Sequence, residues 1–352
     1  MLDFTLNFDL LRRLCEATGV SGRESQVRDL VRTEMEPLVD EITTDALGNL
    51  IGTKKGSGGP RVMLAAHMDE IGFLVRYIDD RGFLRLQAVG GWDPRTLVAQ
   101  RVHVHGYGGQ VLLGAVMPAA KPIHLLTPED LGKTLKLEEM FVDLGMSGDE
   151  VKAQVEIGDM VTMARTAERI GDCIVSKSLD DRVSVFIMLE ALRILGPCQS
   201  EIIAVATTQE EVGLRGAGTA AYGIAPDIAV ALDVTLANDF PGSPDTEQVS
   251  KLGEGCAISI MDGATISPPA LVRHFRDVAE AHSIPHQLSI LSRGGTDAGA
   301  MQRARTGAPA FTLSTPTRYL HTVNETANLG DVQAAVTLLA RYLEDSHTRQ
   351  YR

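Results

Sequence analysis

An α/β protein carrying an all-β insertion is the fold this sequence predicts, and three observations predict it. Short continuous apolar runs alternate with helical patterns near the start of the chain and again from Ile174 onward. Between about Gly72 and Met163 that alternation gives way to strand-like runs separated by glycine-containing turns. The 352 residues also exceed what one core usually organises, so about two domains are expected.

Each element follows from a local pattern. Ser21-Gly22-Arg23-Glu24 fits a capping box, and Val27, Leu30, Val31 and Met35 follow at helical spacing. The stretch Thr53 to Pro60 is a polar, glycine-rich loop or hairpin turn; no GK[ST] follows it, which argues against a phosphate loop. Val62 to Ala66 is short and apolar enough for a buried strand. Strands are then expected at Phe73–Ile78, Phe83–Val89, Arg101–His105, Val111–Met117 and Met160–Met163, forming a small barrel or sandwich. Val183–Leu195 is apolar nearly all round, as a helix enclosed by the protein would be. Ile202–Thr207, Ile228–Leu232, Ala257–Ile260 and Ala308–Leu313 read as buried strands of parallel type, with covering helices at Pro268–His282 and Gly330–Asp345. The expected organisation is an α/β domain from residues 1–70 and 166–352, its mostly parallel or mixed sheet sandwiched by helices. A small all-β barrel, residues 71–165, is inserted into it.

Composition narrows the function classes. The apolar fraction of 44% and charged fraction of 22% are those of a globular protein, and with aromatics at only 5% the cores must be aliphatic. Thirty-three basic against 46 acidic residues give a formal charge of −13. Such a chain repels phosphate backbones, so no nucleic-acid partner is expected. Met1 to Arg12 does not read as a signal peptide, and no apolar run reaches the length of a membrane span. Cys15, Cys173, Cys198 and Cys256 lie far apart without CxxC spacing, which fits reduced thiols and a cytoplasmic location.

The chemistry is carried by acids and histidine that follow buried apolar runs. His67 and Asp69 follow Val62–Ala66, Glu210 and Glu211 follow Ile202–Thr207, and Asp233 follows Ile228–Leu232. In open parallel sheets, ligands bind beyond the carboxyl ends of the strands, so these residues are expected to converge on one rim. Carboxylates and imidazoles gathered without cations would repel, whereas divalent metals resolve the conflict; two metals sharing a water make a hydrolytic centre. If the strand ends just before Glu210-Glu211, a loop can aim both at the site, one binding metal and the other acting as base. Elsewhere, His103 and His105 share a strand face and read as an exposed or interface pair. Trp92, in a Gly90–Pro94 turn, reads as core filling or a subunit contact. Gly294-Gly295-Thr296 reads either as backbone contacts to a peptide or as a tight turn beside the site.

Taken together, Ala66-His67-Met68-Asp69-Glu70-Ile71-Gly72, Ser178-Leu179-Asp180-Asp181-Arg182, Thr208-Gln209-Glu210-Glu211-Val212-Gly213, Leu232-Asp233-Val234-Thr235, Arg293-Gly294-Gly295-Thr296-Asp297-Ala298-Gly299 and His321-Thr322-Val323-Asn324-Glu325 resemble, in order, the motifs of the TET-type (tetrahedral) metalloaminopeptidases. The resemblance implies a zinc-exopeptidase-like fold and peptide substrates cleaved at their free N-termini. It also implies two divalent metals, zinc or cobalt with manganese as a third candidate. By the same resemblance, Asp180 bridges the metals, His67 and Asp233 complete one shell, and Glu211 and His321 complete the other. Glu210 is the general base, and Asp69 accepts a hydrogen bond from the ring of His67. Asp181 is left to pair with Arg182 or to cap the helix. The barrel is expected to make dimer contacts, with dimers assembling into a hollow dodecamer. Two other readings are a related two-metal carboxypeptidase or N-acyl amino-acid deacylase, and an inactive oligomeric scaffold.

Overall fold

The computed structural model of the chain describes residues 5–121, 123–125, 127 and 135–351. Among these residues, eleven strands form one mixed sheet. Its centre is parallel: Glu201–Thr207, Arg61–His67, Ile228–Leu236 and Ala310–Arg318 lie side by side in that order. Antiparallel strands flank it, Leu50–Lys54 and Glu41–Thr44 on one side, Glu325–Asn328, Cys173–Ser176 and Glu168–Ile170 on the other.

Alternation along the central strands builds two cores. Val62, Leu64, Ile202, Ala204, Val230 and Leu232 pack with the helix Leu179–Ile194 and the helices Phe8–Glu16, Ser25–Met35, Pro269–Ala281 and Leu329–Asp345. Met63, Ala65, Ile203, Val205, Ala229 and Ala231 face the other way, onto Ala217, Ala220 and Ala221 of the helix Arg215–Ile224 and onto Ala298 and Met301 of Asp297–Gln302. The second core is built largely of alanine, whose small side chains let short helices lie close to the sheet.

The insertion is a closed barrel of six strands in the order Gly72–Ile78, Leu84–Val89, Met140–Asp143, Val111–Pro118, Arg101–His105 and Met160–Met163. Its inward residues, among them Phe73, Val75, Leu86, Val102, Val104, Val116, Val142 and Val161, form a separate core. Closure removes the exposed edges that a sandwich would leave. Among the described residues, no helix is long and apolar enough to cross a membrane, and the four cysteines are free.

Four local expectations are corrected. The Ser21–Glu24 capping box does not form: the helix begins at Ser25 with no side-chain cap. Ser21 Oγ instead donates to Asp69 at 2.6 Å, and Glu24 Oε1 accepts the amides of Gly22 and Gln209. The strand Cys256–Met261 is not parallel to its neighbour in the main sheet; it runs antiparallel to Ala310–Arg318 and parallel only to His286–Ile290. Asp233 lies inside its strand, because Ile228–Leu236 keeps pairing with Ala310–Arg318 as far as Leu236. Met140–Asp143 is a barrel strand that four residues of weak pattern did not reveal.

Candidate active site

Register brings the strand ends level. Thr207 pairs with His67, and Ala231 pairs with Ala65, so Asp233, two residues on, stands level with His67 on the neighbouring strand. Past Thr207, a left-handed Gln209 turns the chain, and the amides of Gly213 and Leu214 both donate to Glu210 O. Asp69 Oδ1 accepts the amide of Glu210 at 3.0 Å and its Oδ2 that of Glu211 at 3.1 Å. One buried carboxylate thereby sets the backbone of both glutamates.

Asp180 lies between two imidazoles. Its Oδ1 is 3.1 Å from His67 Nε2, and its Oδ2 is 3.4 Å from His321 Nε2. Glu210 Oε2 lies 3.9 Å from His67 Nε2, and Glu211 Oε2 lies 3.6 Å from His321 Nε2. The Nδ1 atoms are held from behind, His67 by Asp69 O at 3.0 Å and His321 by Gly91 O at 2.8 Å. A proton on each Nδ1 satisfies those carbonyls and leaves both Nε2 atoms free toward the carboxylates. The Asp69 carboxylate is itself 3.5 Å from His67 Nδ1. Gly91 belongs to the turn after the second barrel strand, so the insertion supplies part of the site; nothing in the sequence pattern marks that contact.

Asp181 departs from the expectation. It does not pair with Arg182, whose guanidinium donates to the carbonyls of Met68, Leu14 and Ala17. Asp181 Oδ2 accepts the amide of His67 at 3.2 Å, and its ligand atom clusters with those of His67 and Asp233. The peptide between Asp180 and Asp181 is cis, and regular helix dihedrals follow Asp181.

The electrostatics are those of crowded acids. Burial pushes the carboxyls of Glu210 and Asp233 well above the usual range, with Asp233, Asp297 and Glu211 adding to it for Glu210. Burial and then Asp180 push Glu211 up to about 8. Burial, with a smaller contribution from Asp69, raises Asp297 to about 6 against its hydrogen bond from Thr207. Burial disfavours charge on the imidazoles, yet Glu210 and Asp180 hold His67 well above its ordinary value, and Asp180 and Glu211 hold His321 at about 10. Asp180, despite burial, stays below the carboxylate range because both imidazoles face it. Among the described residues, no lysine or arginine pairs with Asp180, Glu210, Glu211 or Asp233, and the buried Glu211 Oε1, Asp181 Oδ1 and Asp297 Oδ1 lack any hydrogen-bond partner.

The donor set fits divalent cations. Two groups, His67 with Asp181 and Asp233, and His67 with Asp180 and Glu211, each offer three ligand atoms within 4.8 Å of one another. Nitrogen and carboxylate oxygen donors of this kind suit zinc, cobalt or manganese.

His67, Asp180, Glu210, Glu211, Asp233 and His321 line a cavity of about 840 Å³, together with Trp92, Leu214, Leu236, Leu291 and Gly294-Gly295-Thr296. The glycines have a packing reason: a Cβ on Gly295 would come within 2.7 Å of the Ala264 side chain, and Gly294 has φ +85°. Thr296 caps the helix that follows. Away from the site, His103 and His105 lie side by side on the barrel with ring centroids 6.4 Å apart, and His105 meets Thr162 Oγ1 at 2.9 Å. Trp92 stacks on Phe73 and donates to Gly72 O.

Asp297, Glu325 and Gly91 are the neighbours that sequence reasoning gave no role, and Asp181 was given none toward the centre. Asp297 and Glu325 sat inside quoted motifs, where an acid beside a glycine pair or four residues after a histidine was the available signal.

Comparison with known proteins agrees throughout. The model of the M42 glutamyl aminopeptidase family matches residues 48–338. The lysyl aminopeptidase of Pyrococcus furiosus is 37% identical over 347 residues, covering 97% of each chain. The structure of an aminopeptidase from the archaeon Desulfurococcus kamchatkensis superposes with a TM-score of 0.92 at 40% identity, covering 96% of this chain and 94% of that one. The TET1 peptidase of Pyrococcus horikoshii, reported to assemble into a tetrahedron or a large octahedral shell, matches at 32% identity and a TM-score of 0.85, covering 96% and 98%. A sheet rim crowded with buried acids, a barrel inserted beside it and this likeness along nearly the whole chain have one meaning: the protein belongs to the M42 glutamyl aminopeptidase family and is a peptide-hydrolysing aminopeptidase.

Proposed function

We propose that the enzyme removes single residues from free peptide N-termini at a centre of two divalent metals, zinc or cobalt, with manganese a third candidate. Asp180 would hold both metals, with His67 and Asp233 completing the set for one and Glu211 and His321 the set for the other. The observation that carries this reading is the pair of imidazole Nε2 atoms facing the two oxygens of a single aspartate, at 3.1 and 3.4 Å, among acids with no basic partner. When bound, the metals would polarise the scissile carbonyl and make a shared water nucleophilic at neutral pH.

The remaining chemistry belongs to the chain. Glu210 takes the water's proton at its carboxylate and returns it to the leaving amine. Its carboxyl is buried, lines the cavity, and is raised by burial above the ordinary carboxylate range. Asp69 orients the ring of His67 and holds the amides of Glu210 and Glu211. The carboxylates of Glu210, Glu211 and Asp233 that line the cavity attract the substrate's α-ammonium, which makes a free N-terminus a requirement. The Gly294–Thr296 loop lies along the same cavity and offers backbone contacts to the peptide.

Residues 1–70 and 166–352 form the catalytic domain and 71–165 a dimerisation domain. The outer barrel face exposes Val111 and Leu113, each 55% exposed, and relatives form large shells, which supports dimers assembling into a dodecamer. A cytoplasmic location accords with the free cysteines.

The test is an aminoacyl-p-nitroanilide assayed beside its N-acetylated form, with metal content measured in parallel. Cleavage restricted to the free amine, lost on chelation and restored by cobalt or zinc, is expected. Preference for the acylated substrate would favour a deacylase, and a metal-free chain that gains no activity would favour the scaffold.

A further inference from the structure

We infer that Glu325 is a positioning residue, a clamp whose two carboxylate oxygens fix the backbones carrying Asp180 and His321 relative to one another. Glu325 Oε2 accepts the amide of Asp180 at 3.0 Å, and its Oε1 accepts the amide of His321 at 2.8 Å. The side chain is 2% exposed, and no basic residue pairs with it among the described residues.

The arrangement repeats that of Asp69 on the other side of the centre. There too one buried carboxylate spends its two oxygens on two amides, those of Glu210 and Glu211. Between them the two acids hold four of the residues that face the centre. Each clamp joins residues whose side chains must meet at one point, yet Asp180 and His321 come from segments 141 residues apart, read from their numbers.

A purely structural role does not account for Glu325. The two segments are already joined by the ladder, in which Ser176 pairs with Glu325 and Cys173 with Asn328. Burying a carboxylate is costly, and an apolar side chain would close the same gap without that cost. What the ladder does not supply is a partner for two amides outside regular structure. The amide of Asp180 lies ahead of the regular helix, and His321 sits at φ +60°, a left-handed conformation unfavourable for a residue other than glycine. Such conformations persist when surrounding contacts hold them, and Glu325 makes the contact in both cases. Its consequence is the approach of His321 Nε2 to Asp180 Oδ2 and Glu211 Oε2, at 3.4 and 3.6 Å.

The inference rests on the two-metal reading, and its test separates the two. Cobalt is titrated into metal-depleted parent protein, Glu325→Gln and Glu190→Gln, with binding followed by calorimetry and by the visible cobalt spectrum. Glutamine keeps the size of Glu325 but turns an NH2 group toward one of the amides. Glu190 is an equally buried acid whose partner, Arg193, lies away from the centre on the same helix, so Glu190→Gln reports the effect of a lost buried carboxylate alone. Glu325→Gln is expected to weaken cobalt binding by about 10- to 100-fold and alter the spectrum, while Glu190→Gln changes neither. Parent-like affinity and spectrum in Glu325→Gln, or the same loss in Glu190→Gln, would overturn the clamp. A parent protein that binds no cobalt would overturn the two-metal reading itself. Should Glu325→Gln not fold, hydrogen exchange in the parent decides: the Asp180 and His321 amides are expected to slow together when cobalt is added, and fast exchange at either in the loaded protein overturns the inference.

Discussion

Two clusters of buried charged groups lie side by side in this molecule, and among the described residues only one holds its own lysine and arginine. Glu70 is 2% exposed, meets Lys177 at 2.7 Å and Arg182 at 3.6 Å, and accepts the amide of Gly19. Close by, Asp180, Asp181, Glu210, Glu211 and Asp233 share two imidazoles and, among the described residues, no lysine or arginine. The second cluster borders the cavity, yet the side chains of Asp180, Glu210 and Glu211 are at most 11% exposed, so contact with solvent alone does not account for the difference. A chain that supplies lysine and arginine to one cluster and only imidazoles to its neighbour accords with the proposed binding of metal cations at the second. The contrast teaches that burial of acids marks a functional site only when the matching bases are missing.

The largest effect expected at the second cluster is chemical. Glu210→Gln should lower kcat by about 10²- to 10⁴-fold, the usual contribution of a general acid–base, with metal content unchanged. Full activity in that variant would end the proposed role. Next in size is the neutralised cluster. Lys177→Met leaves Glu70 with one more distant cation and should cost about 3–5 kcal/mol in urea unfolding. Divalent metal should not restore that loss; if it did, the two clusters would not be distinct.

The pH response of the metal-depleted protein sharpens the comparison further. Burial raises Glu211 to about 8 and the neighbouring acids hold His321 at about 10, so the folded state binds more protons than the unfolded one above the ordinary carboxyl range. Stability therefore falls as pH rises, first through the window between an unfolded glutamate and about 8, then as His321 loses its proton toward about 10. Cations remove this dependence and add about 2.7 kcal/mol at a hundred times their Kd. Thermal melts across pH 5 to 9, roughly the span over which these groups titrate, with and without zinc, check both signs. A flat profile without metal would mean the acids are neutralised within the chain. The smallest effect on the fold is expected at the barrel. Leu113→Asp should change stability by no more than about 0.5 kcal/mol yet lower the mass seen by light scattering, and an unchanged mass would remove this face from the assembly.

Much of the architecture could be read before any coordinates. Periods of two and of continuous apolarity marked the central strands, and the loss of helical pattern after Gly72 marked the barrel. The buried helix stood out because Val183 to Leu192 offers no polar face. The readings that failed did so where a side chain had a distant competitor. Ser21 matched a cap by local spacing, but Asp69 offered its hydroxyl a stronger partner. Pairing of Asp181 with its neighbour Arg182 was one expectation, but Nε and Nη1 of that guanidinium go to three carbonyls from elsewhere in the chain.

Order, spacing and residue type along the chain therefore determined the fold class, most of the strands and the acids and histidines that gather at their carboxyl ends, because periodicity and burial are local consequences of sequence. Only the tertiary structure decided that Asp180 stands between the two imidazoles while Asp181 backs onto the amide of His67. It alone brought the carbonyl of Gly91 from the barrel to the ring of His321, and the carboxylate of Glu325 to two separate backbones. Adjacent aspartates are indistinguishable by type and spacing. What separates them is direction, and direction is set by hydrogen bonds to residues far away in sequence.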